Sequence, residues 1–340
     1  MNEVSIIGVD LAKHVFQLHG AAADGTMVFR KKLSRSQFRQ FMSDRSCCVV
    51  AMEACATSHY WAREFTKMGH EVRLIAPIYV KPFVKRQKTD AADAEAIVEA
   101  AQRPNMRFVL PKSAQTQAHA LLFRTREQLV RQRTETINAL RGHLAEFGLI
   151  APQGIGNLPR LPEIINDPSN DLPELARDLA NLHLNRIDAL TILIEQMMQK
   201  IRQVSRESGT ARTLQTMPGV GPICAMAVEA FAPAMDTFKS GRDFSAWLGL
   251  IPRQYSSGGK ERLGRTSKMG QRDIRQLLII GAMSVIASMH RYKRKADGWL
   301  QDKLNRKPRI IAAIALANKM ARRIWAMVTK GEAYSLTPAI

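Results

Sequence analysis

Long apolar runs are missing from this 340-residue chain: none approaches the roughly 18 residues of a membrane span. The segment from Met1 to Asp10 holds no basic region followed by an apolar stretch, so no signal peptide is expected. Cysteine is scarce. Cys47, Cys48, Cys55 and Cys224 form no CxxC pair, which argues against a zinc site and for reduced thiols in a cytosolic protein. Acidic residues are too few to balance the basic ones. Thirty Asp+Glu face fifty Lys+Arg, leaving +20 at pH 7. That excess calls for a polyanionic partner, most often nucleic acid, with a membrane surface the lesser alternative. Internal repeats and low-complexity segments are absent as well.

The rest of the composition is ordinary. Hydrophobic residues make up 46% and charged residues 24%, which excludes a wholly disordered chain. The length suggests about two domains and suffices for a sizeable core without staples. The charge is unevenly placed. Residues 1–110 carry 16 basic and 11 acidic side chains (+5), and residues 111–210 carry 12 and 11 (+1). Residues 211–340 carry 22 and 8 (+14), so the last third is the main electrostatic footprint.

Residues 1–110 read as α/β. Val4 to Asp10 is a short apolar strand ending in an acid. Val15–Gly20 and Met27–Lys31 are two more strands, joined through the turn signal Asp24-Gly25. Ser34 can cap a helix over roughly 35–44. Cys47–Met52 is continuous and apolar, as in a buried central strand, and it too ends in an acid, Glu53. A helix near 58–68 and a strand over Val72–Ala76 follow.

Residues 111–210 read as helical. Between Gln115 and Phe147 there is no Pro, and Gly142 is the only Gly. Ile187, Leu190, Ile194, Met197, Ile201 and Val204 form a heptad seam. Each helix can span roughly 45 Å at 1.5 Å per residue. Pro152–Pro173 reads as their connecting loop. An elongated antiparallel hairpin, a dimerising coiled coil and a plain helical bundle are all open. Residues 211–335 read as helices around a polar basic loop near 253–270.

Chemistry-bearing residues fall into three groups. Asp10 and Glu53 sit at strand ends, a common site position in α/β sheets. Asp90 and Asp93 open a helix at i, i+3 and share a face. Four such acids could hold a divalent cation, but Asp90 and Asp93 could equally be first-turn acids favoured by the helix dipole. Pro218-Gly219-Val220-Gly221 before an apolar helix has the pattern of a helix-hairpin-helix turn, which binds nucleic-acid backbone, with a simple tight turn as the alternative. The third group is Arg253-Gln254-Tyr255-Ser256-Ser257-Gly258-Gly259-Lys260, continuing through Arg262, Arg265, Lys268, Arg272 and Arg275. Cations there suit phosphate contact, and could stabilise a serine alkoxide. No His stands nearby, so a Ser-His-Asp triad does not fit.

The ordered set resembles the DEDD insertion-sequence transposases. Gly8-Val9-Asp10-Leu11-Ala12-Lys13, Met52-Glu53-Ala54 and Lys88-Thr89-Asp90-Ala91-Ala92-Asp93-Ala94 match the family's acidic tetrad. Pro218 to Gly221, Gly249-Leu250-Ile251-Pro252-Arg253, and Ser257-Gly258-Gly259 leading to Lys268-Met269-Gly270 match its C-terminal domain. The chain looks most like the branch with Gly-Leu-x-Pro-Arg-Gln-x-Ser-Ser-Gly-Gly-Lys. The resemblance implies an α/β RNase H-like (RuvC-like) domain over 1–110, a coiled-coil dimerisation segment over 111–210 and an α-rich transposase domain over 211–335. It implies Mg2+ on Asp10, Glu53, Asp90 and Asp93, and Ser257 as a nucleophile forming a phosphoserine–DNA intermediate. Ser257 is preferred to Ser256 because the family serine directly precedes the glycine. It further implies a guiding bridge RNA that pairs with donor and target DNA, and homodimers assembling into tetramers. Gly219, Gly221, Arg253, Lys260, Arg262, Arg265, Lys268, Arg272 and Arg275 are the expected nucleic-acid contacts. The competing expectations are a hydrolytic metal-dependent junction nuclease and a non-enzymatic nucleic-acid scaffold.

Overall fold

The computed structural model describes residues 3–85, 89–292 and 298–335. The chain divides into two compact units, 1–117 and 118–340. Among the described residues no helix is long and apolar enough to cross a membrane.

The first unit holds β1 (Ile6–Asp10), β2 (Val15–Ala21), β3 (Met27–Ser34), α1 (Arg35–Ser43), β4 (Val49–Glu53), α2 (Ser58–Lys67) and β5 (Glu71–Ile75). The four-residue α3 (Pro77–Val80), α4 (Asp90–Ala101) and β6 (Phe108–Val109) complete it. One six-stranded sheet runs β3-β2-β1-β4-β5-β6. β4 lies parallel to β1 and β5, while the β1–β2, β2–β3 and β5–β6 pairs are antiparallel. The short β6 has no counterpart in the sequence reading.

Alternation in the central strands builds a two-faced core. Ile7 and Val9 of β1 and Val50 and Met52 of β4 join one cluster with Phe16, Phe38, Trp61 and Phe65. Ile6 and Ala51 point the other way and pack with Ile97, Val98 and Ala101 of α4. Each Val, Ile, Phe or Met side chain fully buried among them contributes about 1.5–3 kcal/mol. α1 starts where the sequence placed it, because Ser34 closes a capping box: its N–H donates to Gln37 Oε1 (2.9 Å), and the Gln37 N–H donates back to Ser34 Oγ (3.5 Å).

α5 (Ala114–Ala145), α6 (Arg160–Ile165) and α7 (Glu174–Glu207) follow. The Pro152–Pro173 segment is therefore more than a loop. It carries α6, whose Leu161 and Ile165 are buried with Leu140, Leu144 and Leu172, a burial that a Pro- and Gly-rich composition does not reveal. The heptad seam of α7 is real, with Ile187, Leu190, Ile194 and Ile201 buried. It is covered within the chain: α5 runs antiparallel to it. Arg126 Nε donates to Met198 Sδ (3.0 Å), and Arg133 Nη1 donates to Thr191 Oγ1 (3.2 Å).

The C-terminal part adds α8 (Gly209–Gln215), α9 (Pro222–Phe231), α10 (Gly241–Trp247), β7 (Pro252–Gln254), β8 (Leu263–Thr266), α11 (Arg272–Arg291), α12 (Gly298–Arg306) and α13 (Arg309–Lys330). Phe244, Leu278, Ala282, Ala313, Ala317 and Ile324 form its core, joined by Phe123 of α5 and Ile201 of α7. The basic segment near 253–270 is not an irregular loop. It is a two-stranded antiparallel hairpin of β7 and β8. Its strands are almost wholly exposed, so no alternation of apolar residues betrays them.

Candidate active site

Gly8 positions the acids. A β-carbon there would fall 2.5 Å from Val98 Cγ2 and closer still to the Ala94 carbonyl oxygen. Only glycine lets α4 lie this close on β1. The first turn of α4 is thereby set beside the carboxyl end of β1. Carboxylate oxygens of Asp10, Asp90 and Asp93 all come within 4.8 Å of one another. Thr89 is the N-cap of α4, accepting from the Ala92 N–H (3.3 Å), so neither aspartate is needed as the cap. Lys88 of the same motif lies outside the described residues.

Glu53 stands outside this three-acid group but ends the adjacent strand. The β1–β4 pairing runs to Val9 opposite Met52, one residue short of each acid. Cys55 lies within electrostatic reach of both strand-end acids. Burial first, then the Glu53 and Asp10 carboxylates, push its thiol above the ordinary range. None of the four cysteines forms a disulfide. Converging carboxylates are hard oxygen donors, and their mutual repulsion is relieved by a small divalent cation. The donor set fits a divalent metal ion.

In the second unit, Ser257 sits at the hairpin tip. Gly258 (φ 56°) and Gly259 (φ 76°) both take positive φ, and the Lys260 N–H donates to the Ser257 carbonyl (3.1 Å). Two consecutive positive φ values make this a type I′ turn, which favours glycine at both positions. Ser256 and Ser257 differ here. Ser256 Oγ accepts from the Arg262 N–H (3.2 Å) and is committed to the hairpin. Ser257 is exposed, and its hydroxyl has no hydrogen-bond partner among the described residues.

The expected cation set divides. Lys260, Arg262, Arg265, Lys268 and Arg272 are exposed. Arg253, exposed as well, donates to the Ser267 carbonyl (3.3 Å), and the half-buried Arg275 donates through Nη1 to the Leu248 carbonyl (2.8 Å), so both brace the base of the hairpin. The two motif glycines divide as well. Gly219 (φ 88°) faces α11, where a β-carbon would fall 2.8 Å from the Gly281 carbonyl oxygen. Its small size is used for helix packing. Gly221 is exposed, caps α9 and has open space where a β-carbon would go. α8, this turn and α9 form the expected helical hairpin. The sequence also carries the basic run His290-Arg291-Tyr292-Lys293-Arg294-Lys295-Ala296, a candidate phosphate-binding face, of which residues 293–296 lie outside the described part.

Sequence reasoning missed Gly8. A glycine inside an apolar strand was the signal. It also missed the bracing roles of Arg253 and Arg275, which no local pattern announces.

Comparison with known proteins bears on the whole chain. Residues 211–297 match the transposase family described as IS116/IS110/IS902, and residues 7–148 match the DEDD transposase domain of the IS110 group. That domain implies an RNase H-like fold for the six-stranded sheet. A probable family 20 transposase of Pseudomonas aeruginosa is 44% identical over 97% of this chain and 98% of its own length. The transposase of insertion sequence element IS1328 of Yersinia enterocolitica is 38% identical over 98% of this chain and 100% of its own. A pilin gene-inverting protein of Moraxella bovis is 25% identical over 76% of this chain and 74% of its own. The acidic site on the sheet and the basic hairpin thus lie within the two matched regions, and the chain belongs to the IS110/IS116/IS902 family of insertion-sequence transposases.

Proposed function

We propose that this transposase joins donor and target DNA through a covalent phosphoserine link on Ser257, guided by a bridge RNA that pairs with both DNAs. The observation that carries the reading is the Ser257 hydroxyl, exposed beside two positive-φ glycines while the Ser256 hydroxyl is engaged. The Ser257 Oγ–P bond forms as the P–O bond to the leaving sugar oxygen breaks. The serine proton passes to solvent and the sugar oxygen takes one up. One phosphodiester replaces another, so the ester energy remains for rejoining and no further co-reactant is needed. Lys260, Arg262 and Arg265 lie close by in sequence, on the same hairpin, and offset charge on the phosphate under attack.

Asp10, Asp90 and Asp93, with Glu53 beside them, would hold Mg2+, which supplies charge stabilisation at phosphoryl oxygens. A relative named for inverting a gene suits this chemistry, since inverting a segment requires every cut end to be rejoined. RNA guidance suits a chain whose exposed cations serve backbone contact and leave base reading to pairing.

Homodimers, pairing into tetramers, are part of the same reading. Leu175, Leu179, Leu182 and Leu193 are exposed by 71, 52, 64 and 41% along α7. Their spacing follows a second heptad stripe, which a second copy can cover.

The test is a denaturing gel of protein, flanking-region RNA, labelled donor and target DNA, and Mg2+. Wild type should give a slow covalent protein–DNA band that Ser257→Ala and Asp10→Ala both abolish. Free cut DNA without adduct, surviving Ser257→Ala, would instead identify a hydrolytic nuclease. The same reaction without RNA should be inactive.

A further inference from the structure

The first unit carries a second feature with no part in the chemistry above. Between α1, α2 and the segment after β1 lies a groove of about 910 Å³, lined by His14, Ser36, Arg35, Arg39, Tyr60 and Trp61 among others. Three observations give it a chemical identity. Arg35, Arg39 and His14 are exposed and bring cationic or protonatable groups to one cleft. Two acids stand beside them against Arg35, Arg39 and Lys67: Glu64, bound by Arg39 (3.4 Å) and Lys67 (3.1 Å), and Asp44, held by Gln40 Nε2 (2.7 Å). Positive charge therefore remains in excess.

The second observation is a donor without an acceptor. Trp61 is only 1% exposed, yet its indole Nε1 has no hydrogen-bond partner among the described residues. Buried donors are nearly always satisfied, and an orphan beside a cationic cleft is suited to an incoming oxygen. The third is an aromatic platform. Tyr60 is 40% exposed, and the Arg35 guanidinium lies 5.4 Å from its ring centroid and 4.9 Å from that of Trp61. Arg35 thus covers both rings and can turn outward to a ligand.

We propose that this groove binds the backbone of a single-stranded nucleic acid, with a phosphate between Arg35 and Arg39 and a base stacked on Tyr60. Cations along a cleft with an aromatic face match the chemistry of single-strand binding. A lone small anion would leave most of the 910 Å³ unfilled. DNA and RNA share this chemistry. The inference takes its ligand class from the transposase family and is independent of the serine chemistry and of RNA guidance.

The test uses the full chain with 12-nucleotide single strands of one sequence, as RNA and as DNA, each carrying a photoreactive iodopyrimidine. Crosslinks are mapped by mass spectrometry, and affinity is followed against salt. The expected crosslink falls on the peptide holding Tyr60 with at least one of the two strands, and the strand that reacts identifies the source. Arg35→Gln/Arg39→Gln should lose that crosslink and lower the salt slope by about 1–2, at unchanged thermal midpoint. Trp61→Phe keeps the ring and should weaken crosslinking several-fold without changing the slope. Ser257→Ala should crosslink like wild type, so the groove and the serine fail separately. Absence of any crosslink at Tyr60 with both strands, or an unchanged slope in the double variant, overturns the proposal.

Discussion

Gly8 of β1 and Ala94 of α4 meet backbone to backbone: the carbonyl oxygen of Ala94 occupies the space that a side chain on Gly8 would need. This contact lets Asp90 and Asp93 reach Asp10. Gly8→Val should therefore push α4 away and disperse the acids. Overpacking of this kind costs about 1–3 kcal/mol. The expected protein stays folded, with a lowered denaturation midpoint and loss of Mg2+-dependent DNA cleavage. Full cleavage in Gly8→Val would sever the link between helix contact and acid geometry.

The neighbouring serines should separate cleanly. Ser257→Ala is expected to leave no covalent adduct. Ser256→Ala loses one hydrogen bond from Arg262, worth about 0.5–1.5 kcal/mol, so adduct formation should slow by no more than about tenfold. Single-turnover adduct yields on the two variants decide it; an adduct lost in Ser256→Ala and fully retained in Ser257→Ala would reverse the assignment.

Gly219 and Gly281 are mutual neighbours, and each leaves no room for a side chain on the other. Gly281→Ala should destabilise the C-terminal helices by about 1–3 kcal/mol. Gly219→Ala should cost more, because it adds the strain of φ 88°. Calorimetry should show midpoints lowered by about 2–4 °C for each kcal/mol lost. If Gly219→Ala keeps its midpoint yet binds DNA poorly, Gly219 touches phosphate directly.

Stability should fall between neutral and mildly acid pH. His19 is buried, and burial followed by Arg30 and Lys85 holds its pKa below the ordinary 6.5 against the opposing pull of Glu95. His59 is shifted down by burial, Lys112 and Arg63. A base with a lowered folded pKa takes up its proton first in the unfolded chain. Its stabilising contribution is whole above about 6.5 and is lost as pH drops from there through the folded value. Urea midpoints should decline from pH 7.5 to pH 5.5, and His59→Gln should flatten the decline. A profile that rises toward pH 5.5 would mean that these histidines do not govern the window.

The exposed leucine stripe on α7 offers a test of assembly. Leu179→Glu/Leu182→Glu should leave the helical content by circular dichroism unchanged, and the thermal midpoint should lose its dependence on protein concentration. Sedimentation should show the oligomer reduced to monomer. An unaltered oligomer would place the dimer contact elsewhere.

The sequence was most legible where local chemistry decides structure. Ser34 and its capping box, the apolar strands ending in Asp10 and Glu53, and the α7 seam all lie where their residues indicated. Contacts between distant segments were not legible. The i, i+3 spacing put Asp90 and Asp93 on one face, but only the close approach at Gly8 brings Asp10 to them. The seam could have faced another copy, and α5 fills it. The hairpin escaped because Pro252, Arg253 and Gln254 are all exposed, so β7 has no buried face to pattern. Ser256 and Ser257 are alike in sequence and differ only in which hydroxyl meets Arg262.

The α5–α7 pair is clamped at both ends, by Leu161, Ile165 and Leu172 at one and by Phe123 and Ile201 in the C-terminal core at the other. A rod about 50 Å long, at 1.5 Å per residue, held this way conducts displacement rather than absorbing it. A tilt of roughly 5° at the core end would swing the far end by about 4 Å over that length. Whatever grips the far end is then coupled to the helices that carry the serine hairpin, and a load on the hairpin is felt at the grip. The pair has the geometry of a lever, one whose stiffness would depend on how well the seam is filled.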